Sequence, residues 1–310
     1  MSRRVLVLGG TGMLGAMMVR VLQEQGMEVV ATTRGKINEA GWIKLDAFGF
    51  ALEGSDAPLP RSALDDADWI VNCIGITKPM IEESNDWSMR VAITVNSLFP
   101  LALAHACDRQ RIIQIATDCV FSGRTGNYKE TDAHDALDVY GKTKSLGEAK
   151  SPNIMHLRTS IIGPEFRPEK KFLLEWLLGQ TQGAIVKGYT NHTWNGLTTL
   201  HFAKICAAII NIPVLFKPGV HHLSPANTAT KYQLLYDACI AFGRQDIQVE
   251  KVAAPESVYR HLDTVDDSFG YALWQGDGYE DPPTTQQMLE ELAAYMSCST
   301  SGDIIRKGRA

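Results

Sequence analysis

The chain lacks a basic excess: 30 Lys and Arg stand against 35 Asp and Glu, a formal charge of −5 over 310 residues. Binding to a phosphate backbone or an anionic bilayer needs a positive field, so neither nucleic acid nor membrane is expected as a partner. Paired cysteines are missing as well. Cys73, Cys107, Cys119, Cys206, Cys239 and Cys298 stand far apart, without a CxxC and without ligand spacing to histidine, which predicts reduced thiols and no metal. His221 and His222 have no suitably spaced third ligand and read as core or strand-edge histidines. Apolar stretches such as 206–216 are too short to span a bilayer and are broken by Asn211 and Pro213. The opening MSRRVLVLGGTG lacks the apolar region of a secretory leader, so a cytoplasmic protein is expected. No internal repeat or low-complexity tract occurs. What remains, 45% hydrophobic and 21% charged residues, is ordinary globular composition with enough chain to bury a sizeable core.

Short β-branched runs alternate with longer segments of helical period from the start, the pattern of βα units around a parallel sheet. Strands are expected at 5–8, 28–32, 42–45, 68–73, 111–116 and 154–157, with helices at 13–25, 86–108 and 139–150, the second bent by Pro100. Residues 1–165 therefore read as a Rossmann-type, doubly wound dinucleotide-binding domain. Segment 195–215 is expected to return to it. Beyond Gly163 and Pro164 the pattern loosens: helices at 170–179, 200–210, 230–242 and 285–296, strands at 184–186 and 220–223. Residues 166–300 read as a smaller α+β substrate-binding lobe, and 301–310 as a frayed polar tail.

Gly9-Gly10-Thr11-Gly12-Met13-Leu14-Gly15 follows an apolar strand and opens a helix. In that context Gly9 suits a tight turn, Gly12 lets the backbone approach a pyrophosphate, and Gly15 permits close helix packing, while the helix amides face the phosphates. The second strand ends Val30-Ala31-Thr32-Thr33-Arg34, with no carboxylate to grip ribose hydroxyls. Arg34 offers a planar fork for a 2′-phosphate, with Lys36 a weaker candidate, and the bland alternative is an exposed loop arginine. NADPH is expected, with NADH still open.

Tyr140 and Lys144 are four apart, hence on one face of a helix. A nearby ammonium favours phenolate and would bring the tyrosine toward general-acid work near neutrality. Thr117 ends the fifth strand, where open α/β sheets place ligands, and could hold a substrate oxygen; a strand-end turn residue is the alternative.

These motifs together resemble the extended short-chain dehydrogenases/reductases, in the branch containing dTDP-4-dehydrorhamnose reductase. Besides the glycine spacing, DWIVNCIG at 68–75, ATDCVFSG at 116–123, YGKTKSLGE at 140–148 and LRTS at 157–160 match the family's segments. The resemblance spans about residues 1–245. It implies NADPH-dependent reduction of the 4-keto group of a nucleotide-linked 4-keto-6-deoxy sugar, in polysaccharide or deoxysugar precursor synthesis. Thr117, Tyr140 and Lys144 would be catalytic. Cys73, Ile74 and Gly75 would border the adenine ribose, Asp46 would sit near the adenine, and Asn96 would support a water relay to the lysine. An exposed loop aspartate and a solvated asparagine are the plain alternatives for the last two. Asp118, Cys119, Ile161 and Arg260 would face the sugar nucleotide, whose diphosphate is offered Arg167, Lys170, Lys171 and Arg260. A homodimer is left open.

Departures from the family bear on substrate. Ile161 stands where the rhamnose-forming enzymes carry an aromatic residue, and NHTWNGLT at 191–198 replaces their later substrate segment. Cys119 stands where those enzymes have tyrosine and GDP-fucose synthases have a catalytic cysteine. No histidine lies between Arg158 and Asn191 to partner it, His192 being the first available. Reduction alone is therefore the first reading, an epimerase-reductase using Cys119 the second. The same branch also resembles the regulatory subunit of methionine adenosyltransferase, so a non-catalytic dinucleotide-binding subunit is the third.

Overall fold

Val5, Leu6, Val7 and Leu8 are consecutive, apolar and each no more than 1% exposed. A strand with side chains on both faces buried must lie in the middle of a sheet covered on both sides, the habit of parallel sheets. The computed structural model describes residues 3–35, 41–53, 61–107, 109–167 and 170–307. Its first part runs β1 (Arg4–Leu8), α1 (Met13–Glu24), β2 (Glu28–Thr33), β3 (Trp42–Lys44), α2 (Ala47–Glu53), α3 (Arg61–Asp65), β4 (Trp69–Asn72), α4 (Asp86–Ile93), α5 (Phe99–Ala106), β5 (Arg111–Ala116), α6 (Val139–Leu146) and β6 (Ile154–Arg158). There follow β7 (Ile161–Ile162), α7 (Leu173–Leu178), β8 (Ile185–Tyr189), β9 (His192–Trp194), β10 (Leu197–Thr198), α8 (Thr199–Asn211), β11 (Gly219–His222), β12 (Ala229–Thr230), α9 (Lys231–Ala241), β13 (Gln248–Val252), β14 (Val258–Tyr259), α10 (Asp267–Gly276) and α11 (Thr285–Lys307).

The central sheet has seven parallel strands in the order β11-β6-β5-β4-β1-β2-β3. Strand order reverses between β1 and β4, which opens a crevice beyond their carboxyl ends. Helices α1 and α8 cover one face, burying Met17, Met18, Phe202, Ile205 and Ile209. Helices α2, α4 and α5 cover the other, with Phe50 edge-on to Phe99 at 5.6 Å. The smaller α+β lobe pairs β8 with β13, places β9 between β12 and β14, and pairs β7 with β10.

Several expected boundaries move. The 86–108 helix is two α-helices joined by a π turn at Thr94–Leu98, immediately before Pro100. Pro100 has no N–H to give the carbonyl four residues back, and the wider turn closes instead through the Phe99 amide onto Thr94 O. Contrary to the expectation that apolar stretches are too short, the helical run Asp86–Ala106 could cross a bilayer by length and composition alone; here it packs on the sheet with Ala92, Val95, Phe99 and Leu103 buried. Helix α6 stops at Leu146, short of residue 150, because the chain turns at Gly147, whose space for a Cβ is taken by Asn96 O at 2.0 Å. Helix α7 starts only at Leu173, since the Glu165 carboxylate claims the Lys171 and Phe172 amides, both at 2.7 Å. Helix α11 runs on through Lys307 where a frayed tail was expected; no proline interrupts the backbone beyond its packed first half. Helices α2, α3 and α10 and the short strands β7, β9, β10, β12, β13 and β14 were not anticipated.

Two helical glycines make opposite demands. A Cβ on Gly15 in α1 would lie 2.1 Å from Gly9 O, whereas one on Gly270 in α10 meets no atom within 4 Å. Gly15→Ala should therefore lower unfolding free energy by about 2 kcal/mol or more through overpacking. Gly270→Ala should raise it by up to about 1 kcal/mol through helix propensity. Urea denaturation of the two variants checks the opposite signs.

Candidate active site

The glycine loop is built by contacts only glycine allows. Gly9 has φ +80°, and a Cβ there would meet Ile74 Cγ1 at 2.8 Å. Its amide donates to Thr32 Oγ1 at 2.9 Å, tying the loop to the end of β2. Gly12 stands at the N-terminus of α1 without a side-chain cap, and the first turn has no acidic residue. Amide donors and a positive helix end therefore face the crevice.

That crevice is a cavity of about 710 Å³. Gly9, Thr11, Gly12, Met13 and Leu14 line it, with Arg34 after β2 and Cys73, Ile74 and Gly75 after β4. Gly15 lies behind the loop, against Gly9, and acts by packing. Asp46 is a correction. Its neighbours Leu45 and Ala47 are on the wall, but its own carboxylate accepts the Phe48 amide at 3.2 Å at the start of α2. Lys36 lies outside the described residues.

At the other end Thr117, Asp118, Cys119, Tyr140, Lys144 and Ile161 share the wall. Thr117 Oγ1 accepts the Cys119 amide and donates to Asp118 Oδ1, both at 3.2 Å. Asp138 caps α6 by accepting the Gly141 amide at 2.8 Å and pairs with Lys78 Nζ at 2.8 Å. A Cβ on Gly141 would fall 2.2 Å from Cys119 O, so α6 lies directly on the turn that follows β5. Asn96 is off the wall. Its Oδ1 accepts the Ile76 amide at 2.8 Å, and its Nδ2 donates to Ile76 O at 2.9 Å and Thr143 Oγ1 at 3.1 Å. It clamps the loop after β4 to α6, a buried and fully bonded amide rather than a solvated one.

Electrostatics correct one expectation. Lys144 Nζ donates to Ile115 O at 3.0 Å, and burial pushes its pKa down to about 8, with Glu148 opposing. Burial pushes the Tyr140 phenol up; the neighbouring Cys119 adds to this and hydrogen bonding with Thr117 opposes it. Desolvation outweighs the expected lowering by Lys144, whose ammonium is directed at a backbone carbonyl. Burial also pushes Cys119 up to about 12, Asp118 adding and Arg260 opposing.

Cations are distributed unevenly. Arg34, Lys78, Arg167, Lys171 and Lys231 reach the wall. Lys170 pairs with Glu175 at 2.5 Å. Arg260 is off the wall: Nε donates to Phe121 O at 3.0 Å and Nη1 lies 3.8 Å from Cys119 Sγ. Lys231, missed in the sequence, begins α9 with Nζ 5.6 Å from the Trp194 ring, and burial pushes its pKa down, with Asp118 and Cys119 opposing. Only its place just after the cap residue Thr230 set it apart from a solvated helix lysine.

Beneath the wall, Arg158 is 1% exposed. It donates to both oxygens of Glu148, at 3.1 and 2.7 Å, to His222 Nε2 at 2.7 Å and to His134 Nε2 at 2.9 Å. Both imidazoles must accept, so each is neutral with its proton on Nδ1, facing Asp263 O and Ser145 Oγ respectively.

A family model described as RmlD substrate binding domain matches residues 3–260. The probable low-salt glycan biosynthesis reductase Agl14 of Haloferax volcanii is 33% identical over 165 residues, 50% of this chain and 52% of that protein, so the chain matches about half of that relative's length. Methionine adenosyltransferase 2 subunit beta of Danio rerio is 24% identical over 250 residues, 77% of this chain and 74% of that protein. The crystal structure of dTDP-4-dehydrorhamnose reductase from Bacillus anthracis in complex with NADP shares the fold, with a TM-score of 0.70 at 16% identity over 94% of this chain and 99% of that one.

Two outcomes are expected from these electrostatics. Lys144 carries its charge in the fold at a cost that its displacement to about 8 measures. Lys144→Met should therefore stabilise the chain by about 1–3 kcal/mol, read from thermal unfolding. His134, His156, His201, His221, His222 and His261 are all held below the ordinary imidazole value, chiefly by burial. The unfolded chain then takes up protons first. Stability should be complete above about pH 6.5 and fall as the pH drops below it. A denaturation midpoint unchanged between about pH 7 and 5 would contradict this reading.

Proposed function

The chain belongs to the RmlD substrate binding domain family, and we propose that it is an NADPH-dependent reductase of the 4-keto group of a nucleotide-linked 4-keto-6-deoxy sugar. The observation that carries the reading is one continuous cavity with the glycine loop at one end and Thr117, Tyr140 and Lys144 together at the other. The residues fit a dinucleotide. Gly15 packs against Gly9 closer than any side chain permits, leaving the α1 amides uncapped toward the cavity. Arg34 lines the wall where β2 ends without a carboxylate, which suits a 2′-phosphate and favours NADPH over NADH. Cys73, Ile74 and Gly75 form the wall between the two ends.

A bound NADPH supplies a hydride for the keto carbon. The chain supplies the rest. Tyr140, kept protonated by burial, gives its proton to the keto oxygen as negative charge develops there, and the Thr117 hydroxyl holds that oxygen. Lys144 remains charged below about pH 8 and stabilises the phenolate left behind. Lys231 and Lys171 are the wall cations offered to the sugar nucleotide's diphosphate. Cys119 argues for reduction without epimerisation. At about 12 its thiol is not a thiolate, and His192 is off the cavity wall and bonded to Glu256 O at 3.0 Å.

A panel of 4-keto sugar nucleotides, assayed by NADPH oxidation, tests the proposal. Turnover should appear with at least one of them and fall by about 10²- to 10⁴-fold in Tyr140→Phe, with NADPH affinity retained. A blank panel together with tight NADPH binding would favour a non-catalytic subunit, the reading that similarity to methionine adenosyltransferase 2 subunit beta supports. The retained Thr117, Tyr140 and Lys144 favour catalysis.

A further inference from the structure

Arg167 was a sequence candidate for the substrate's diphosphate, and the structure puts it elsewhere. After β7 the chain leaves the sheet through Gly163 and Pro164 and is fastened by Glu165, whose Oε2 accepts the Lys171 and Phe172 amides. Glu165 is fixed in turn by its own amide, which donates to Glu175 Oε1 at 3.1 Å. From this anchored base the exposed Arg167 side chain reaches across to the glycine loop. Its Nε donates to Thr11 O at 2.7 Å and its Nη2 to Thr11 Oγ1 at 2.6 Å.

Three features of this contact belong together. The guanidinium donates to two uncharged oxygens and has no carboxylate partner among the described residues. Thr11 sits directly before Gly12, where α1 begins with its amides uncapped by any side chain. Both Arg167 and Thr11 line the cavity. A full positive charge and a row of amide donors thus point at one place from opposite sides of the crevice, and an anion there would gain from both. Lys231, by contrast, lines the wall near Asp118 and Cys119 at the catalytic end.

We infer that Arg167 binds the diphosphate of the dinucleotide and, by bridging to the glycine loop, slows its release. The inference rests on reading the cavity as a dinucleotide site. A phosphate oxygen replaces the Thr11 hydroxyl as the partner of Nη2, and the bond from Nε to Thr11 O keeps the two sides of the crevice together. The cations at the catalytic end are left to the substrate.

Stopped-flow release of NADPH from the full chain tests this with wild type, Arg167→Ala and Arg167→Lys. Arg167 is exposed, so neither substitution disturbs a core. Release should quicken by about ten- to a hundredfold in the alanine variant, the worth of a charge-assisted bond. The lysine variant should fall between, keeping charge without the planar fork. Affinity for adenosine 2′-monophosphate, which has no diphosphate, should be the same in all three. Unchanged NADPH release in Arg167→Ala overturns the inference alone, and so does an equal loss of adenosine 2′-monophosphate affinity. A wild-type chain that binds no NADPH overturns the dinucleotide reading along with it.

Discussion

The wall that carries Thr117, Tyr140 and Lys144 depends on how closely helix α6 approaches two backbone carbonyls. Gly141 lies on Cys119 O and Gly147 on Asn96 O, at distances that leave no room for a Cβ. The first contact brings Tyr140 to the turn carrying Thr117 and Cys119, and the second sets α6 against the π turn. Asn96 and Ser97 then bond to Thr143 from that side, Ser97 Oγ donating to Thr143 O at 2.7 Å. Lys144 is thereby buried with one carbonyl for company. The same closeness fixes the protonation states, because burial keeps the phenol protonated and brings the ammonium near its titration point. Position and chemistry here have one cause.

Arg158 braces that arrangement from below. Glu148 follows α6, His134 precedes it, and His222 belongs to the edge strand β11, so one guanidinium joins both flanks of the helix to the sheet. Glu130 continues the network by accepting the His222 amide at 2.9 Å, the Thr264 hydroxyl at 2.8 Å and the Val265 amide at 2.9 Å. A buried ion pair is costly unless every remaining donor finds an acceptor. Neutral imidazoles accept one N–H from each terminal nitrogen without adding charge, while the Phe121 ring lies 5.2 Å from the guanidinium carbon.

Much of this was legible in the sequence because it is local. Strands buried on both faces read as unbroken apolar runs, and β5 was placed at its observed limits; Tyr140 and Lys144 announce a shared face by spacing alone. The glycine loop could be read because its strand and helix adjoin it. What escaped depends on partners far along the chain. Strands β9, β12 and β14 are two or three residues long and exist through one another. Arg167 meets Thr11 156 residues away, and no local pattern distinguishes it from a solvated arginine. Asp46 carries a local helix-start bond to Phe48 that a family pattern does not foresee. Burial, which reversed the expected direction for Tyr140, is a property of the assembled wall and not of the four-residue spacing.

The π turn divides the run from Asp86 to Ala106 into two helices that lie on the same face of the sheet. Ala92 is buried ahead of it, Phe99 and Leu103 after it. The wider turn takes up one extra residue, so the helices on its two sides keep nearly the phase that ordinary winding would give them with one residue fewer. Removing a residue from 94–98 would close the turn and draw the Asn96 carbonyl away from Gly147, while Phe99 kept its side toward Phe50. An insertion or deletion here would act on the candidate site with Thr117, Tyr140 and Lys144 unchanged.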